Sequence, residues 1–328
     1  MWALLALLLT RVGTAAELRL ATMLPRRSSY VKTLLASCDE IERRTGKRIT
    51  VRLLTNGVEG DDGEVLARIR EGKLDGAIVA GTSLARECPD CLVYSLPLLF
   101  RSLDEVEHIR RQRDPKLVAA LGERGWAALG VAGGGFAYIL SNAPVRSVAE
   151  LKERKMWVPP RIEAAEAGEA WGITPVELPI ADVRDGLKSG VVDAVVMPPV
   201  GAIILQWHTR LRYVTDLPLL YSYTLLVVGG KAFGKLPTAD REIVRDVCAR
   251  ALAELDAAGR EHAAKALEIL RKQRKTFVAP TAEQLAEWRA WAERITAQFV
   301  EQGRVPRPAL AEVRAALAEL RRQAGARR

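Results

Sequence analysis

Short runs of β-branched and aliphatic residues alternate along this chain with longer stretches whose apolar positions recur every three to four residues. The first run, ELRLATMLP, ends at Pro25, where a proline stops a strand ladder. Residues 28–45 then place Val31, Leu34, Leu35, Cys38 and Ile41 on one helical face, and Gly46 closes the pattern. RITVRLLTNG predicts a second strand, DDGEVLARIREGKLDG a charged helix closed by Gly72, and AIVAG a third, buried strand. GWAALGVAGG and FAYILSN predict two more. Strand and helix in alternation argue for an α/β fold, a parallel sheet covered by helices.

Beyond Asn142 the pattern restarts. VRSVAELKERK predicts a capped helix, KMWVP a strand, IEAAEAGEAWGI a helix closed by Gly172, VELPIADVRDGLKSG a turn and helix, and VVDAVVMPP a strand. Two α/β units follow, crossed near Ser141 and again near Tyr221 to Gly229, where YTLLVVGG reads as a strand; two crossings make a hinge. From Thr238 to Lys275 the helical pattern is nearly unbroken. At 1.5 Å per residue it runs to roughly 57 Å, long enough to brace both units, with Gly259 as a place to bend. Helices over 281–302 and 308–323 finish the chain. The expected division is 17–140 plus about 228–258 for one lobe, and 141–227 plus about 259–328 for the other with the C-terminal helices.

Two of these strands end in proline, at Pro159 and Pro198. In open α/β sheets such exits are where ligands sit. Here they carry Trp157 and Met197, where a receptor for polar solutes would place a charge or an amide.

Composition narrows the picture. At 328 residues, two lobes of ordinary size are expected. MWALLALLLTRVGTAAE has a short apolar run and small residues at Thr14 and Ala16, so residues 1–16 are expected to be a cleaved export signal and the protein periplasmic. The net charge of +9 is partly local, in Arg321, Arg322, Arg327 and Arg328. With no aromatic platform or recognition motif, this is expected to be a solvated tail and not a nucleic-acid site. Cys88-Pro-Asp-Cys91 is expected to form a small structural disulfide, because the motif precedes LVYSLPLLF in a loop and lacks the strand-to-helix setting of a redox site. Cys38 and Cys248 fall in helical patterns and are expected to be buried thiols. Zinc would need two further ligands, and His108, His208 and His262 are scattered; no metal or cofactor is expected.

The runs TNGVEGDDGEVLARIREGKLDGAIV, LPLLFRSLDEV, SNAPVRSVAELKERKMWVP and GLKSGVVDAVVMPP, in this order, resemble the extracytoplasmic solute-binding subunit of tripartite ATP-independent periplasmic (TRAP) transporters, the DctP type. The resemblance covers nearly the whole chain from Leu18. It implies two lobes of the Venus-flytrap kind, a long helix bridging both, a central cleft, delivery of solute to TRAP membrane permease subunits, and no enzyme activity. It also implies a carboxylate-binding arginine in the strand after the LK motif, a position that falls on Trp157. A second arginine position, five before the asparagine of the SN pair, falls on Ala137, and the asparagine ending the GVVDG-type strand falls on Met197. A polar position on the first strand becomes Met23, an acidic or amide position after the third becomes Gly81, and a wall aromatic becomes Ile180.

Five of these six positions have thus lost a charge or hydrogen-bonding group. A buried carboxylate without a cation costs on the order of several kcal/mol, whereas apolar area gains about 25 cal/mol per Å² removed from water. The pattern resembles the branch encoded beside a tetratricopeptide-repeat (TPR) lipoprotein, which implies a hydrophobic or amphipathic solute. Pro198-Pro199 followed by VGAIILQW fits that branch and brings Trp207 into the expected wall. The alternative is a small organic acid met by a relocated arginine, such as Arg161 or Arg26 from a loop. An enzyme using the CxxC has no Ser/His/Asp order, HExxH or phosphate loop to support it. The acidic run Glu59-Gly-Asp-Asp-Gly lacks an EF-hand's length and terminal glutamate, and is expected to be a helix N-terminus. A purely structural partner-binding protein with an empty cleft is the remaining reading.

Overall fold

The computed structural model describes residues 15–160, 168 and 170–326. The expected export signal therefore lies outside the described residues, save for Ala15 and Ala16, as does most of the helix expected over IEAAEAGEAWGI. Ten strands form one hydrogen-bonded network: β1 (Ala16–Thr22), β2 (Ile49–Leu54), β3 (Gly76–Ala80), β4 (Trp126–Ser141), β5 (Lys155–Val158), β6 (Thr174–Glu177), β7 (Ala194–Met197), β8 (Tyr213–Thr215), β9 (Leu220–Gly229) and β10 (Thr276–Val278). The helices are α1 (Ser29–Arg44), α2 (Asp62–Arg70), α3 (Leu103–Glu123), α4 (Val148–Lys152), α5 (Val183–Ser189), α6 (Pro199–Ile204), α7 (Gly230–Gly234), α8 (Thr238–Lys272), α9 (Ala282–Glu301) and α10 (Arg307–Ala326).

Strand order runs β2-β1-β3-β9-β4-β7-β5-β6, with β8 beside β4 and β10 beside β8. β1 is parallel to β2 and β3, and β5 is parallel to β6 and β7, as expected of the two α/β units. β9 runs antiparallel between β3 and β4. β4 is one 16-residue strand and not the two expected across Gly133-Gly134-Gly135. Register shifts at Ala128/Gly130 and Gly133/Gly135 absorb the glycines as bulges, so the ladder continues through them. Up to Ala137 the strand pairs with β9; from Tyr138 it pairs with β7. Most of β9 fell within 141–227, the stretch expected to belong to the second lobe, yet the whole strand hydrogen-bonds in the first lobe's sheet.

Local chemistry explains the helix ends. Ser28 caps α1 through Val31 N–H, and Asp61 forms a reciprocal capping box with Glu64 at α2. The acidic run is thus a helix start, and among the described residues no cluster of three or more His, Cys, Asp or Glu is arranged to hold a metal ion. No helix of the described residues is long and apolar enough to cross a membrane. α8 spans 35 residues, about 52 Å at 1.5 Å each. Its Leu252 and Leu255 sit in the first lobe's core with Val31, Ile41 and Leu226. Its Leu270 sits in the second lobe's core with Val195, Trp207 and Val214. Gly259 brings the helix close to β4: a Cβ there would stand 3.1 Å from Gly133 O.

Candidate solute-binding cleft

A cavity of about 820 Å³ opens between the lobes at the carboxyl ends of β1, β3, β5 and β7. Five of the seven residues expected at the site line it: Met23, Ala137, Trp157, Ile180 and Met197. Pairing explains the grouping. Met197 faces Tyr138 across β4 and β7, next to Ala137, and Trp157 faces Val176 across β5 and β6. Trp157 is half-buried, and its indole is pinned from two sides. Nε1 donates to Leu178 O at 2.9 Å, and the ring meets Trp207 edge-on with centroids 4.9 Å apart. An edge-to-face pair adds about 0.5–1.5 kcal/mol to simple burial.

The other two expected residues lie behind the wall. Trp207 is 1 % exposed and supports Trp157 from the second lobe's core without reaching the cavity. Gly81 is buried, and a Cβ there would overlap the Tyr223 ring. Tyr223, which does line the cavity, fills the space where a side chain at residue 81 would stand. Its hydroxyl donates to Cys91 O at 2.6 Å, and burial pushes its pKa well above the usual phenol range.

The polar part of the lining was not foreseen in the sequence. Arg86 lines the cavity from the turn after the 3₁₀ segment Gly81–Leu84, and Arg304 from the turn after α9. Arg304 is placed by the end of α9: Gly303 takes a left-handed conformation (φ 70°), and Arg304 N–H returns to Phe299 O at 2.8 Å. Its guanidinium stacks 4.3 Å from the centroid of Phe299, another lining residue. The only foreshadowing was the glycine after a long helical pattern. Asp62 also lines the cavity, with Oδ2 accepting from Ala80 N–H and Ser83 Oγ, both at 2.8 Å. Of the arginines considered as replacements, Arg26 is exposed and outside the lining, and Arg161 lies outside the described residues.

The disulfide expected between Cys88 and Cys91 is not formed: both are free, buried thiols. Their side chains hydrogen-bond, which holds the Cys88 thiol below the usual range and pushes Cys91 up. Cys38 and Cys248 are free and buried as expected, and burial pushes each thiol up to about 12.

A cavity between two α/β lobes, at strand exits and beside a helix that spans both, defines a two-lobed solute-binding protein. The chain belongs to the bacterial extracellular solute-binding proteins of family 7, DctP, whose family model matches residues 20–302. It is 26% identical over 283 residues to a solute-binding protein of Verminephrobacter eiseniae, covering 84% of this chain and 82% of the relative. It is 25% identical over 289 residues to the C4-dicarboxylate-binding periplasmic protein DctP of Rhodobacter capsulatus, covering 85% of this chain and 84% of the relative. The crystal structure of the sugar acid binding protein DctPAm of Advenella mimigardefordensis with galactonate superposes with a TM-score of 0.83 at 17% identity, over 93% of this chain and 99% of that one. The family and these relatives are transport proteins that bind solutes, not enzymes.

Proposed function

We propose that the protein is a periplasmic receptor that hands an organic acid with a sizeable apolar body to the membrane permease of a TRAP-type transporter. The observation that carries this reading is the division of the cavity wall. Trp157, Met197, Ile180 and Met23 offer apolar surface, while Arg86 and Arg304 bring guanidinium groups to the same cavity. The relatives point the same way, since their names give a C4-dicarboxylate and galactonate as ligands. The cation has moved: Arg304 and Arg86 take the part of an arginine at residue 157, and the indole there packs against the ligand's body.

A second reading, an uncharged hydrophobic solute, is favoured by the extent of apolar wall. It keeps the TPR lipoprotein as a further partner beside the permease. Titration of the purified protein with octanoate, octanamide and succinate separates the two. The organic-acid reading expects octanoate to bind more tightly than its amide. Arg304→Gln should erase that difference by about ten- to hundredfold, the worth of a hydrogen bond to a charged group at about 1.5–3 kcal/mol. Equal affinity for acid and amide, unchanged in the variant, overturns it in favour of the uncharged solute.

A further inference from the structure

A second groove, of about 590 Å³, lies on the second lobe and is lined by Lys188, Arg210, Arg212 and Lys275 together with Asn142 and Thr209. Among the described residues, no carboxylate lines it. It sits at the end of the sheet away from the cleft. Asn142 follows β4, Arg212 precedes β8, Lys275 precedes β10 and Lys188 closes α5. Ser141 faces Ala194, whereas Met197 at the cleft is three residues further along β7, about 10 Å.

The frame beneath the charges is rigid. Arg212 N–H donates to Ser141 O and Thr276 N–H to Arg212 O, both at 2.9 Å, and Asn142 N–H donates to Asp193 O at 2.9 Å. Lys275 Nζ is drawn into the wall by Leu211 O at 2.8 Å, where burial lowers its pKa from the usual lysine range. Among the described residues, Lys188, Arg210 and Arg212 make no ion pair. Elsewhere on the surface the cations are commonly paired, as Arg44 is with Asp246, Arg250 with Glu40 and Arg314 with Glu293. Cations gathered around one recess without a counter-charge repel one another and focus a positive potential there.

We propose that this groove is a docking site for an acidic segment of a partner protein. Carboxylates answer the paired arginines with charge-assisted hydrogen bonds, and the Asn142 amide and Thr209 hydroxyl supply directional contacts for a peptide. The recess favours a peptide over a membrane: a planar anionic surface reaches Arg210 and Arg212, which are exposed, but not the half-buried Lys275. The site is independent of the solute cleft.

The test uses the full chain, a fluorescent hexaglutamate peptide, and vesicles of phosphatidylglycerol, at about 50 mM salt and above. The double variant Arg210→Glu with Arg212→Glu should weaken peptide binding by at least about tenfold and flatten its salt dependence. A control that reverses as many charges at the exposed Arg52 and Arg111 should change it by less than about threefold. Thermal melts establish that both variants fold; if the reversal fails to fold, Arg210→Gln with Arg212→Gln replaces it, with a loss of at least about threefold expected. Equal losses in groove and control variants would reduce the effect to net charge and overturn the proposal. Retention on vesicles with no binding of the peptide overturns it too, in favour of a membrane site.

Discussion

Trp157 is a cleft residue whose orientation is fixed by its neighbours. Its indole is held by Leu178 O and Trp207, so the ring presents a fixed apolar wall and carries no cation. Burying such a ring against a ligand is worth on the order of 2–3 kcal/mol. Trp157→Arg should therefore weaken a ligand with an apolar body by at least about tenfold, read by titration with octanoate; unchanged affinity would place the ligand elsewhere in the cavity. Gly81 illustrates a different constraint. Because a Cβ there overlaps the Tyr223 ring, Gly81→Ala should cost about 1–3 kcal/mol of overpacking and lower the melting midpoint by several degrees. An unchanged midpoint would mean that the ring moves aside. The apolar wall was legible in the sequence because strand exits and their residues can be counted along the chain. Arg304 was not, since its place in the lining depends on how the chain turns at Gly303 after α9 and where that turn packs.

At the scale of elements, α10 docks on α3 through Arg321. Arg321 was expected in a solvated basic tail, yet it makes two 2.8 Å bonds to Glu105 and one of 3.0 Å to Leu99 O. Burial alone would raise the Glu105 pKa, but the bonds from Arg321 and from Arg101 N–H more than offset it and leave the carboxyl below the usual glutamate range. A depressed folded value means that the stabilisation is complete above the unfolded value, about 4.3, and is lost as the pH falls through the folded one. Arg321→Gln should accordingly flatten the acid limb of the stability profile below about pH 4.3, followed by denaturant unfolding at successive pH values. A profile with the wild-type slope would remove this pair as its cause. α3 itself was missed in the sequence for a related reason: Glu105, Arg110 and Arg113 are among its buried residues, so its apolar periodicity is broken by paired charges.

At the scale of the molecule, a clasp from α8 holds Gly133 of β4, on the stretch paired with β9 and ahead of the point where the strand passes to β7. Asp256 Oδ1 accepts from Gly133 N–H and from Arg110 Nη1, both at 2.6 Å, and Arg110 also reaches Tyr221 Oη at 3.2 Å and Asp114. Arg110 is 7 % exposed, so removing Asp256 leaves a buried cation with the Asp114 carboxylate and only neutral oxygens, Tyr221 Oη and Val131 O, beside it. Asp256→Ala should cost about 1–3 kcal/mol, less than a fully buried pair because Asp256 is partly in solvent. Small-angle scattering of the ligand-free variant should show a wider spread of lobe separations. Wild-type stability and scattering together would show that the clasp does not govern the hinge.

The sequence by itself determined the α/β alternation, the long brace over both lobes, the family, and the apolar residues at the strand exits. Each of these is written locally, as the period of one buried face or the spacing of residues along one strand. Only the tertiary structure decided that β4 runs unbroken through its glycines, that β9 lies wholly in the first lobe's sheet, and that the three-residue strands β8 and β10 pair. It also decided that Tyr223 fills the space beside Gly81 and that Arg304 and Trp157 line one cavity. These outcomes depend on groups distant in the chain competing for the same space and the same hydrogen bonds, and no local period carries that information.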